Sequence, residues 1–85
     1  MSLDRRWRVT FVNAGGAHDL GQTRESMLGC VLWEIFPEAV GSEFENAYRQ
    51  AMTERVAVTA ESYYPPLKAW LEARAYPSED GIWDG

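Results

Sequence analysis

The sequence predicts one α+β domain, in which antiparallel strands are combined with helices. An alternating run at 7–12 indicates a strand, a capped apolar stripe at 42–55 indicates one long helix, and alternating runs at 56–62 and 68–76 indicate a hairpin. A chain of 85 residues buries only roughly 60 to 65% of its unfolded surface. Its margin of stability is therefore small, and we expect a partner to support it.

The first strand is predicted from side chains that alternate along residues 7–12. Trp7, Val9 and Phe11 fall on one face, and their neighbours fall on the other. A period of two is typical of a strand with one buried face. We therefore expect these three side chains to point towards the core.

Three short helical turns should follow this strand. Asn13 is suited to cap the first turn, in which two glycines weaken the helix. Thr23 is suited to cap the second, and Gly29 is well placed just after its end. The third turn, at 32–36, should stop at Pro37, because a proline disfavours helix in the residue before it.

The strongest helix signal lies in the middle of the chain. Ser42, with Glu45 three residues later, predicts a capping box at the start of a long helix, and Glu45 with Arg49 predicts an ion pair one turn apart. The apolar stripe of this helix consists of Phe44, Ala47, Tyr48 and Ala51. This stripe should face the core.

The C-terminal part predicts successive strands. The runs at 56–62 and 68–76 are separated by Pro65-Pro66, which favours an antiparallel hairpin. Residues 77–81 should form a turn, after which Ile82-Trp83 begins another extended segment.

Five segments, in this order, resemble a PAS sensory domain. They are Arg8–Asn13, Gly29–Pro37, Phe44–Arg55, Tyr64–Pro66 and Trp70–Pro77. The resemblance covers nearly the whole chain. It implies a five-stranded antiparallel sheet with short helices and one long helix on one face, and a pocket between these layers. Because many functions share this fold, the function must still be argued from the site.

The resemblance also implies two central strands that this sequence holds only in truncated form. The first is reduced to a few residues around Leu3-Asp4, and the last is reduced to residues 82–85. Unpaired strand edges invite pairing with a second chain. We therefore expect a homodimer, with exchanged strands as one form of it. The alternative is that the chain ends within its last strand.

Composition excludes several classes of function. Thirteen acidic and eight basic residues give a net charge of −5, which opposes the phosphate backbone and argues against nucleic-acid binding. The single cysteine excludes an internal disulfide. No apolar run approaches the ~20 residues of a membrane helix, so we expect no membrane contact by this domain and a cytoplasmic location.

No residue pattern identifies a cofactor. His18 is the only histidine and is expected at the surface, whereas haem-binding relatives of the PAS type usually carry the axial histidine on the long helix. Cys30 is expected as a small buried hydrophobe. The flavin-adduct motif and the cysteine of covalently bound chromophores in this superfamily have no counterpart here. Glu79 and Asp80 should be solvated in their turn. A small hydrolase is a remote alternative, because the chain has one histidine, one unactivated cysteine and no Gly-rich phosphate loop.

Two groups of residues are predicted as sites. The pocket candidates are Phe11, Trp33, Phe36, Phe44, Tyr48, Met52, Val58 and Leu71. Such a lining suits a small apolar or aromatic ligand, although a core filled by its own side chains is an equal alternative. The interface candidates, on the outer face of the sheet, are Trp70, Glu72, Arg74 and Tyr76. Aromatic residues and arginine are enriched at protein interfaces.

We therefore expect a non-catalytic sensory and dimerisation module of a larger signalling protein, such as a histidine kinase or a cyclic-dinucleotide enzyme. Ligand or partner binding would shift the population of two arrangements, and a covalently linked output domain would respond. The alternative is a sensor domain that holds an apolar metabolite or haem as cargo.

Overall fold

The computed structural model describes residues 1–85. The strands are β1 (Ser2–Asp4), β2 (Val9–Phe11), β3 (Val58–Tyr64), β4 (Ala69–Ser78) and β5 (Gly81–Asp84). The helices are α1 (Ala14–Asp19), α2 (Arg24–Met27), α3 (Leu32–Ile35) and α4 (Glu43–Glu54), and short 3₁₀ turns span Pro37–Ala39 and Pro65–Leu67.

The strands form a single antiparallel sheet in the order β2-β1-β5-β4-β3. The long helix α4 packs on β3, β4 and β5. The predicted α+β, PAS-like architecture is confirmed, as is the hairpin of β3 and β4.

Both central strands are short, but both are paired within the chain. Leu3 of β1 lies opposite Val9 of β2 on one side and opposite Ile82 of β5 on the other. The idea that β1 and β5 leave unpaired central edges is therefore wrong. Strands of three or four residues are enough to join the two halves of the sheet. The reason for expecting strand exchange, which was an unpaired central edge, is therefore removed.

The caps of the helices are largely those that the sequence predicts. Asn13 accepts a hydrogen bond from the Gly16 N–H at the start of α1. At α4 the pattern differs from a capping box, because the Ser42 hydroxyl accepts from the Phe44 N–H at 3.2 Å. The Glu45 carboxylate accepts from the Gly41 N–H at 2.7 Å instead of from Ser42.

The first strand does not keep its predicted alternation. Val9 and Val12 are buried, whereas Phe11 is 54% exposed. Trp7 adopts a left-handed backbone with φ of 66° and lies in a turn before the strand. The strand is therefore only three residues long, and Val12 turns into the core as the chain enters α1. The prediction that Phe11 faces the core is wrong.

The hairpin strands are displaced from their predicted bounds but keep their predicted faces. β3 begins at Val58, two residues after Val56, and Val56 is exposed. β4 runs on through Pro77 and Ser78, so the turn is shorter than expected. Along β4, Ala73 and Ala75 are buried beneath α4, while the residues that alternate with them face away from the helices.

Candidate functional site

An apolar cavity of about 170 Å³ lies between the helices and the inner face of the sheet. Its lining residues are Met1, Leu20, Leu32, Trp33, Phe36, Ala39, Phe44, Tyr48, Tyr64, Leu71, Glu72, Ala73 and Asp84. The aliphatic members come from both layers, so the cavity lies within the layer interface and not on an outer surface. Its position agrees with the pocket that the resemblance implied.

Aromatic side chains form much of the wall. Phe44 and Tyr48 stand one turn apart on the buried stripe of α4. Tyr64, at the end of β3, contacts Phe44 and Phe36 in edge-to-face geometry, with ring centroids 6.2 and 6.4 Å apart. Trp33 of α3 lies 6.0 Å from Tyr48. The rings therefore form two groups that both line the cavity, Trp33 with Tyr48 and Tyr64 with Phe36 and Phe44.

The Asp84 carboxylate interrupts this wall. Asp84 follows the buried Ile82 by two residues on β5, so its side chain falls on the inner face of the sheet. Its Oδ2 atom accepts a short hydrogen bond from the Tyr48 hydroxyl. Its Oδ1 atom accepts from the Arg74 N–H at 3.3 Å. The carboxylate thus ties the last strand to the long helix across the cavity.

Burial changes the ionisation of this pair. Burial raises the pKa of Asp84 above its usual value, while the hydrogen bonds from Tyr48 and Arg74 oppose that rise. Burial, with the nearby Asp84 carboxylate, raises the pKa of Tyr48 well above its ordinary value. Tyr48 therefore stays a neutral hydrogen-bond donor at neutral pH, and ionised Asp84 carries a desolvation cost.

The side chain of Trp33 carries a buried polar group without a hydrogen-bond partner. The indole Nε1 of Trp33 is buried and makes no hydrogen bond within the protein. The same indole packs against Trp7, with centroids 5.3 Å apart, and the Arg49 guanidinium lies 5.7 Å from its centroid. Leaving a buried donor unpaired costs about 1–3 kcal/mol. The Trp33 indole is therefore held in place by packing and not by a hydrogen bond.

The structure brings together most of the predicted pocket residues. Trp33, Phe36, Phe44, Tyr48 and Leu71 all line the cavity. Met52 and Val58 pack against the core without lining the cavity. Phe11 lies on the opposite face of the sheet, because it is paired with Ser2, which is also opposite the exposed Trp83.

The prediction from the sequence omitted two important residues of the cavity lining, Tyr64 and Asp84. Tyr64 ends an alternating run whose inner members include Val58, so extending that run would have placed Tyr64 on the inner face. Asp84 carries the same signal relative to Ile82. A carboxylate two residues after a buried isoleucine is the sequence feature that would have found it.

The opposite side of the sheet carries exposed aromatic residues, which we call the outer face. Tyr63 and Trp70 form an edge-to-face pair, and Tyr76 stacks on Trp83 with centroids 4.8 Å apart. Trp70 is 69% exposed. The face consists of Phe11, Tyr63, Trp70, Glu72, Arg74, Tyr76 and Trp83. All the predicted interface candidates lie on it, and Glu72 and Arg74 form an ion pair along β4.

The two residues considered for special chemistry lie at the surface. His18 is exposed on α1, where we expected a surface residue. Cys30 is also exposed, and the prediction of a buried cysteine is wrong. Its main-chain oxygen accepts from the Val9 N–H at 3.0 Å, so this segment uses its backbone to extend the edge of the sheet. The local apolar sequence did not reveal this arrangement.

Comparison with known proteins gives one result. A protein-family model described as PAS fold matches residues 1–85. Searches of the curated proteins and of the solved structures found no significant match. None of the helices combines the length and the hydrophobicity that a membrane crossing requires.

Proposed function

Since this chain belongs to the PAS family, whose domains are generally sensory and non-catalytic, we propose that it is a ligand-sensing module of a larger signal-transduction protein. The ligand is a small molecule bound in the cavity. The output domain is covalently linked, of the kind found in histidine kinases or cyclic-dinucleotide enzymes, and the module works in the cytoplasm.

The cavity is the observation that carries this proposal. It lies against α4 on one side and against the sheet on the other, and Asp84 with Tyr48 connects the two sides. A ligand that contacts this pair would change how α4 sits on β5. A ligand shifts the populations of two conformations only if it binds one of them more tightly than the other, and contact with this pair would provide that difference.

The size of the cavity limits the ligand. A cavity of about 150 Å³ lined by apolar side chains holds benzene in another protein. The present cavity, at about 170 Å³, therefore suits a molecule the size of one ring. Haem is much larger, and no histidine lies on α4 to bind its iron. We propose a small metabolite and not haem.

The outer face supports a second part of the proposal, which is homodimerisation. Large exposed aromatic side chains grouped on one face are typical of an interface. We propose that two copies pack through this face without exchanging strands. The signal would then pass from the cavity through the sheet to the partner.

The cavity is tested with indole, which is neutral and small. Thermal unfolding should show a higher Tm with indole for the wild-type protein, because binding to the folded state stabilises it. Ala73→Leu places extra methyl groups in the cavity wall and should abolish the shift. Native mass spectrometry of the freshly purified protein should also show a small molecule that is lost on denaturation.

Ala57→Leu is the matched control, because Ala57 is exposed and lies outside the cavity. It should keep the full indole shift. If the wild-type protein shows neither a retained molecule nor any shift with indole, the cavity is simply part of the core and the ligand-sensing proposal is wrong.

A further inference from the structure

The cavity wall combines two features that together suit a cationic ligand. The first is a cluster of aromatic rings, to which Trp33, Phe36, Phe44, Tyr48 and Tyr64 contribute. The second is the half-buried carboxylate of Asp84. Aromatic rings attract cations through their faces, and a carboxylate supplies the opposite charge.

No charged side chain neutralises the Asp84 carboxylate. From α4 it receives only the neutral Tyr48 hydroxyl, and from β4 it receives the Arg74 main-chain N–H. The Arg74 guanidinium is engaged by Glu72 on the outer face. The Met1 amino group donates to the main-chain oxygen of Asp84 at 3.1 Å, and it lowers the pKa of the carboxyl less than the two hydrogen bonds do.

A neutral ligand would raise the free-energy cost of keeping the Asp84 carboxylate ionised. Filling the cavity excludes water, and an ionised carboxylate without a cationic partner is expensive to bury. A cationic ligand would offset that cost and at the same time contact the rings. Glu72 also borders the cavity, but Arg74 already pairs with it.

We infer that the cavity binds a small ammonium ligand, either a quaternary ammonium or a protonated amine, with its positive group between Asp84 and the aromatic cluster. This inference rests on the proposed ligand-sensing function and names the chemical class of its ligand.

Choline and 3,3-dimethylbutan-1-ol provide a matched pair of probes. Choline carries a positively charged quaternary nitrogen at the position where the alcohol carries a neutral quaternary carbon. Isothermal titration of the wild-type protein at pH 8 should show choline binding at least about tenfold more tightly than the neutral alcohol. Equal affinities, or tighter binding of the alcohol, would overturn the inference while leaving ligand sensing intact.

Asp84→Asn should reduce choline affinity at least about tenfold and leave the alcohol nearly unchanged. Asp80→Asn is the control, because it removes the same charge from an exposed turn. Its choline affinity should match the wild type. If Asp84→Asn does not fold, the ratio of the wild-type affinities for choline and for the neutral alcohol still tests the inference.

Choline affinity should also depend on pH through Asp84. Because burial raises its pKa, the carboxyl gains a proton at a higher pH than an exposed aspartate does. Affinity should rise with pH through that range and then level off, and Asp84→Asn should show no such rise. If neither probe binds, the inference is wrong, and the indole experiment then shows whether the ligand-sensing proposal fails with it.

Discussion

Arg55 connects the end of the long helix to the last hairpin. It caps α4 in the left-handed conformation, with φ of 58°. Its guanidinium donates to the Gly81 carbonyl at 2.9 Å and, through its other terminal nitrogen, to the Ser78 carbonyl. Those two carbonyls flank the turn between β4 and β5. One side chain therefore holds that turn against the helix.

Arg55→Ala should lower the free energy of unfolding by about 2 kcal/mol, because charged hydrogen bonds to two carbonyls are lost. Urea denaturation monitored by circular dichroism measures this change in the free energy of unfolding. Lys68→Ala is the control, since Lys68 also has a left-handed backbone, with φ of 50°, and is exposed. Equal losses in the two variants would mean that Arg55 acts only through its backbone.

At the scale of the elements, β1 and β5 leave no room for a side chain where they meet at Gly81. Gly81 pairs with Asp4, and a Cβ atom at Gly81 would lie only 2.0 Å from the Leu3 carbonyl oxygen. That oxygen belongs to the backbone of a central strand and cannot move aside without opening the sheet. Glycine at this position is therefore required by strand pairing and not by a turn.

Gly81→Ala should destabilise the domain by roughly 3 kcal/mol or more, which is a large part of the stability of a small domain. Hydrogen exchange should show that protection is lost first at residues 2–4 and 81–84. Gly15→Ala, in α1, is the control, because its Cβ would meet only the Asn13 side chain at 3.6 Å. That variant should be as stable as the wild type or slightly more stable.

For the whole molecule, the sheet has two faces with different surroundings. The inner face packs on the helices and contributes to the cavity, while the outer face presents aromatic side chains to solvent. In a symmetric dimer the same patch is used by both copies, so each substitution on the outer face acts twice. The oligomeric state is therefore a sensitive measure of the role of this face.

Trp70→Ala should weaken the proposed dimerisation at least about thirtyfold, because a tryptophan at the centre of an interface often contributes about 2 kcal/mol. Sedimentation velocity over a range of protein concentrations measures this effect. Val40→Ala is the control, since Val40 is 55% exposed but lies just before α4, away from the outer face. Unchanged association of the Trp70→Ala variant would place the interface elsewhere.

The sequence alone determined the features that depend on local periodicity. The stripe of α4 is buried where its spacing of three and four residues predicts, and the faces of β4 alternate as predicted. The ion pair of Glu45 with Arg49 has its predicted partners, with 2.7 Å between Nε and Oε2. The succession of these elements also sufficed to indicate the PAS family, which the match over the whole chain shows.

Only the tertiary structure decided the features that depend on contacts distant in sequence. The pairing of β1 with β5 joins residues about 80 positions apart, so no local pattern reports it. The pairing of β2 with β1 places Phe11 on the outer face, and the packing of α4 on β5 brings Asp84 beside Tyr48. Periodicity reveals which side chains share a face, but a cavity and its charge arise only when separate elements pack together.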